Sequence, residues 1–163
     1  MKGYVEKMIK EYPTLVEKRK VLKIQLDNFN GITDEDIITS MCFSHPEGER
    51  VQSSDLSDKT AKVAIAYKRR KSRMNDELYS YLLKEYERLD EEITFLESAI
   101  KELPEELSEV MRAMVLDGST WDDMEYISCQ ARSTLSARRK KAIDVLVRIY
   151  QIRASQMEAF LLS

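Results

Sequence analysis

The residues best suited to chemistry in this chain lie between positions 132 and 141. Arg132, Arg138, Arg139, Lys140 and Lys141 place five cations in that window with no anion among them. The whole chain has a formal net charge of -3, so the block is a local electrostatic feature rather than a consequence of composition. Clustered Arg and Lys displace counterions from phosphates, which gives an affinity that falls as salt rises. Ser133, Thr134 and Ser136 add short hydroxyl side chains that reach phosphates or base edges without steric conflict. A solvated face of an ordinary bundle helix has the same charge pattern, and salt-dependent DNA binding distinguishes the two readings.

Other reactive side chains are few. The chain has two cysteines, Cys42 and Cys129, and a single histidine, His45. The spacing Cys42-x-x-His45 offers two metal ligands, but a structural zinc site normally needs four and there is no second pair. A Cys–His nucleophilic pair lacks an orienting third residue. There is no phosphate-binding loop either. The expectation is therefore a protein that is not an enzyme, with no catalytic residue, no metal and no cofactor.

The basic block needs elements to hold it. Leu103-Pro104-Glu105-Glu106 reads as a helix start, because proline lacks only an N–H that would be unpaired there and the carboxylates suit the positive end of the helix dipole. Leu107, Val110, Met111, Met114 and Val115 then make one helical stripe. Gly118 fits a C-cap. Ser119 or Thr120 can cap a short second helix, with Asp122 and Asp123 in its first turn and Trp121, Met124 and Ile127 as its inner face. Residues 128–131 make a short polar connection. The last helix starts near Arg132, with Leu135, Ala142, Val145, Leu146 and Ile149 inward. A short helix, a tight turn and a basic helix form the pattern of a helix-turn-helix that places its second helix in the major groove.

These residues resemble region 4 of the sigma-70 family. The resemblance is carried by Leu103-Pro104-Glu105, by Gly118-x-Thr120-Trp121-Asp122-Asp123-Met124, by Ser133-Thr134-Leu135, and by residues 138–143. It covers roughly the last third of the chain and is nearest to phage-encoded forms, including late-gene regulators of the RinA and ArpU type. The resemblance implies that the last helix reads promoter DNA, with Arg132, Ser133, Ser136, Lys140 and Lys141 facing it and Arg138 and Arg139 at its edge. The chain departs from the family at Ala131, where a Ser or Thr cap is usual, and at Arg139, where an apolar residue is usual.

The expected fold is all-α, with a helical coiled-coil module at 1–102 and the helix-turn-helix domain at 103–163. Low Gly and Pro counts and 34% charged residues favour charge-laced helices over sheet. In the first helix, Met8, Tyr12, Leu15, Leu22, Leu26 and Phe29 form a stripe interrupted by Arg19, and Pro13 either kinks the helix or begins its main segment. Thr33 can cap a short helix, and residues 44–50 read as a loop. A further helix starts at Ser57 or Asp58 and ends in a basic cluster of Lys68, Arg69, Arg70, Lys71 and Arg73. Tyr79, Leu82, Tyr86, Leu89, Ile93, Leu96, Ile100 and Leu103 form a coiled-coil seam. Around it lie Glu85, Glu87, Asp90, Glu91, Glu92 and Glu97, a face that repels phosphate and should point away from DNA. An intramolecular antiparallel partner for the seam is the first choice, and a homodimer is the rival. The apolar residues of the tail, from Ile152 to Leu162, either return to the bundle or make a dimer contact.

Residues and resemblance together predict a phage or prophage transcriptional regulator that binds double-stranded DNA at promoters, with or near host RNA polymerase. The alternatives are a small terminase-like packaging subunit, which usually carries its DNA motif first rather than last, and a coiled-coil adaptor whose basic helix binds an acidic protein. No apolar run reaches membrane-spanning length and the first residues lack a signal-peptide core, so a soluble, cytoplasmic protein is expected.

Overall fold

The computed structural model describes residues 1–34, 37 and 56–162. Every secondary-structure element among them is helical. In chain order these are α1 (Lys2–Asp27), α2 (Leu56–Lys101), α3 (Glu105–Met111) with a π-helical turn (Arg112–Leu116), α4 (Trp121–Ser128) and α5 (Arg132–Leu161). No described helix is long and apolar enough to cross a membrane. The Cys42-x-x-His45 pair, the 44–50 loop and most of the short helix after Thr33 lie outside the described residues.

One expectation about the helices is narrowed, since Pro13 does not begin the main segment of α1, and one is revised. Pro13 lies inside α1 without ending it. The helix leading to the basic cluster and the helix carrying the seam are one continuous element, α2. The basic cluster at 68–73 does not end the helix. It contains neither Gly nor Pro, and Lys and Arg are good helix formers that let the helix run on.

The described chain divides into two compact units, residues 1–20 with 88–163, and residues 21–87. The first has the main core. Val5, Met8, Ile9 and Tyr12 of α1 share it with Ile93, Leu96, Ala99, Ile100 and Leu103, and with Met111, Val115, Ala142, Ile143, Leu146 and Tyr150. The core thus includes residues on both sides of position 103. Burying this many aliphatic side chains is the main stabilising term, at about 1.5–3 kcal/mol for each fully buried side chain.

The acidic face of α2 has a role inside this unit. Tyr4 donates its hydroxyl to Glu92 at 2.8 Å, and Tyr12 donates to Glu97 at 2.7 Å. Burial, then these bonds to carboxylates, push both phenols up to about 12. Arg19, the interruption in the α1 stripe, is accommodated by Asp90 at 2.8 Å. Arg153 of α5 pairs with Glu91 at 2.5 Å and Glu92 at 3.3 Å, and its guanidinium lies 4.2 Å from the centre of the Phe95 ring. Carboxylates of the acidic face therefore tie α1 and α5 to α2.

In the second unit, the segment after α1 runs antiparallel to α2. Phe29 meets Tyr79 edge-on at 5.2 Å, the Ile32 amide donates to the Asn75 side chain at 2.7 Å, and Asp34 pairs with Lys71. Gly31 allows this approach: its φ is +79°, and a Cβ there would lie 2.9 Å from the Asn75 side chain. Burial along the seam is uneven. Leu89, Ile93, Leu96, Ile100 and Leu103 are buried, Leu82 and Tyr86 are half-buried, and Tyr79 is exposed.

Candidate nucleic-acid interface

The basic block stands on α5, and a second, smaller core fixes that helix. Val110 of α3, Met124 of α4 and Leu135 of α5 are buried together, with Ala113, Met114 and Trp121 packed around them. Each helix comes from a short local signal. Pro104 precedes α3, and its carbonyl accepts the Leu107 and Ser108 amides at 2.8 and 2.9 Å. The π-helical turn then widens the chain path before Gly118, whose φ of +71° reverses it as a C-cap glycine does. The Ser119 amide returns to the Ala113 carbonyl at 2.8 Å.

Thr120 is the cap of α4. Its hydroxyl accepts the Asp123 amide at 3.3 Å, while Asp123 accepts the Thr120 amide at 2.8 Å, so two orphan donors are satisfied reciprocally. The Thr120 hydroxyl also donates to Asp123, and this bond, followed by the backbone one, lowers the Asp123 pKa. A depressed carboxylate pKa adds stability that is present above the unfolded-state value and lost as pH falls through the folded one. Thr120→Ala is expected to cost about 1 kcal/mol. Thermal melts at neutral pH should show the loss, and the gap between variant and parent should narrow in acid. An unchanged melting temperature would mean that the box does not hold α4.

Cys129, in the left-handed conformation at φ 52°, ends α4, and α5 begins at Arg132 after only residues 129–131. As its sequence implies, Ala131 supplies no side-chain cap; its carbonyl accepts the Thr134 and Leu135 amides. Ile127 departs from expectation. It is 72% exposed and not part of the inner face, which Trp121 and Met124 form. An eight-residue helix presents little more than two turns, and Ile127 falls at the end that turns away into the left-handed residue. Tyr126 beside it is 88% exposed.

On α5, Leu135, Ala142, Ile143 and Leu146 point into the two cores. The helical period then places Ser133, Ala137, Lys140 and Lys141 outward. Ser133, Thr134, Ser136, Lys140 and Lys141 are exposed, and no described carboxylate pairs with either lysine. Asp144, the next acid along α5, is engaged by Lys2 at 3.4 Å. The three arginines are held differently. Arg132 lies 3.6 Å from Asp122 and 5.9 Å from the centre of the Trp121 ring. Arg138 is only 25% exposed and pairs with Glu106 at 3.1 Å. Arg139 is half-buried with its Nε out of solvent and unbonded, so its stem packs against the protein.

Among the described residues, the block therefore separates into a lysine pair without an ion-pair partner, bordered by hydroxyls, and three arginines with protein contacts. Sequence reasoning missed Glu106, Asp122 and Lys2 as modulators of this surface. Glu106 and Lys2 are too far along the chain from their partners for any periodic signal. The described residues contain no group of His, Cys, Asp and Glu able to hold a metal, and Cys129 is exposed and free. No family model matches the chain, and no curated protein or solved structure is significantly similar to it.

Proposed function

We propose that the chain is a DNA-binding transcriptional regulator of a phage or prophage, with α4 and α5 as a helix-turn-helix that engages promoter DNA with or near RNA polymerase. One observation carries the DNA part: Lys140 and Lys141 stand on the outward face of α5 with no ion-pair partner among the described residues, next to Ser133 and Ser136, while the opposite face of the same helix is locked in a core. A rigid helix with free cations and short hydroxyls on one face can enter a major groove and hold its register through phosphate contacts. The transcription part rests on the resemblance of the last third to sigma-70 region 4. In this reading α1 and α2 form the coiled-coil module that contacts other proteins.

Selection of bound fragments from a genomic DNA library at moderate salt tests the reading. Enrichment of a recurring site upstream of an operon is the expected result. Uniform recovery of all fragments would reduce the function to non-specific binding, and no recovery at low salt would reject it.

The ion pairs Arg132–Asp122 and Arg138–Glu106 favour one second reading, since they show that this block accepts carboxylates. In that case α5 docks an acidic protein surface and the chain is an adaptor. Salt-sensitive capture of an acidic protein without any DNA affinity would select it.

A further inference from the structure

The outward face of α5 does not end at Lys141. Ser133, Ala137, Lys140, Asp144 and Arg148 recur at intervals of three and four residues, opposite the buried Leu135, Ala142 and Leu146. All five are exposed, and no described carboxylate pairs with Arg148. The row has one anion, Asp144, and the next acid along α5 is Glu158. Asp144 is the obstacle to a cationic face. Lys140 stands four residues before it and Arg148 four after, both at the spacing that forms helical ion pairs. Asp144 instead engages Lys2, the first residue of α1, at 3.4 Å.

We propose that the DNA-facing surface of α5 extends to Arg148, which holds phosphate at the far wall of the major groove, and that Lys2 keeps this surface cationic by neutralising Asp144. The inference rests on the DNA reading above and adds two residues to it, one of them from the other end of the chain.

Length supports the extension. Residues 132–141 cover roughly 14 Å of helix axis, close to the major-groove width of about 12 Å. Arg148 lies roughly 10 Å farther, where a helix crossing the groove passes over the phosphates of its far wall. Phosphate contacts of this kind fix register without reading sequence. Charge gives Lys2 its part. Its side chain and that of Asp144 are 52% and 53% exposed, so their ion pair adds little to stability. Its consequence is electrostatic: Lys140, Lys141 and Arg148 all keep their charge with no carboxylate partner among the described residues. Without Lys2, Asp144 would draw on Lys140 or Arg148 and repel a phosphate approaching either.

Fluorescence anisotropy of the full chain on a mixed-sequence duplex of roughly 30 base pairs, about three helical turns, is the test, run across a salt series. Arg148→Gln should make the plot of log affinity against log salt shallower by about 0.9 and weaken binding roughly fivefold at about 0.1 M salt. Lys2→Ala should also weaken binding, and adding Asp144→Asn to it should restore the parental affinity. Glu158→Gln is the control. It lies roughly 15 Å beyond Arg148, past the screening length of about 10 Å, and should leave the slope unchanged. All four positions are exposed, so every variant should melt as the parent does. A parent that binds no duplex at low salt rejects the DNA reading and this inference with it. A parent that binds while Arg148→Gln keeps its slope overturns the inference alone. So does a Lys2→Ala loss that Asp144→Asn does not repair, or a Glu158→Gln change as large as that of Arg148→Gln, which would reduce the effect to net charge.

Discussion

Ile93→Asp is expected to unfold the unit made by residues 1–20 and 88–163. Ile93 is fully buried, with α1, α2 and α5 all contributing to the core around it. Removing an isoleucine side chain from such a site costs about 2–5 kcal/mol before any polar group is introduced. A carboxylate in its place meets no described cation in that core, so it must stay buried as a charge or take up a proton, and either adds several kcal/mol more. A domain stable by about 5–15 kcal/mol cannot absorb much of this. Far-UV circular dichroism should show a large loss of helix at ambient temperature, or a melt displaced far downward. Ile127→Gln is the matched control: its exposure predicts a change within about 0.5 kcal/mol, the range of surface substitutions. A cooperative melt at the parental temperature for Ile93→Asp would show that α1 does not cover the seam.

Much of this core was legible in the sequence, and the parts that were not have physical reasons. Met8 and Tyr12, and the seam from Leu89 to Leu103, are legible because a helix buried on one side must repeat its apolar residues at three and four. The uneven burial of the seam was not legible. Tyr79 and Leu82 satisfy the same spacing as Leu96 and Ile100, and periodicity records a stripe without recording what covers it. The covering residues, such as Val5, Leu146 and Tyr150, come from the two ends of the chain. The partners of the acidic face were not legible for a related reason. Glu92 and Glu97 look like solvated charges until Tyr4 and Tyr12 arrive from some 85 residues away, as the sequence separations of 88 and 85 record. Local chemistry fared better. Gly118 as a C-cap and Thr120, one of the two capping candidates, follow from local chemistry, because a helix end must satisfy its backbone groups within a few residues. At the candidate site the sequence located the basic block but could not sort it. Arg138 and Lys141 are equivalent as letters, and only folding brings Glu106 to Arg138.

That sorting leads to an unequal prediction for the cations of α5. If α5 binds DNA as proposed, Lys140→Ala combined with Lys141→Ala should weaken binding across all sequences and make the plot of log affinity against log salt shallower by about two, since each phosphate contact contributes about 0.9 to the slope on duplex DNA. Neither lysine has a described carboxylate partner, so neither gives up a protein ion pair on reaching phosphate. Arg138→Ala should have a smaller effect on the slope, because Arg138 must leave Glu106 or bind while that carboxylate repels the same phosphate. Glu106→Gln should then act in the opposite direction, strengthening binding by freeing Arg138 and removing an anion from the edge of the surface. The reversal discriminates, since a merely structural Arg138–Glu106 pair would make both substitutions damaging. The lysines lie on the solvent side of a helix whose other face is in the core, so thermal stability should be unchanged in their double variant. Fluorescence anisotropy on one duplex across a salt series measures every arm. Equal slopes for the parent and the lysine variant would remove Lys140 and Lys141 from the interface. Weaker binding by Glu106→Gln would place Arg138 outside it, as a strut between α3 and α5.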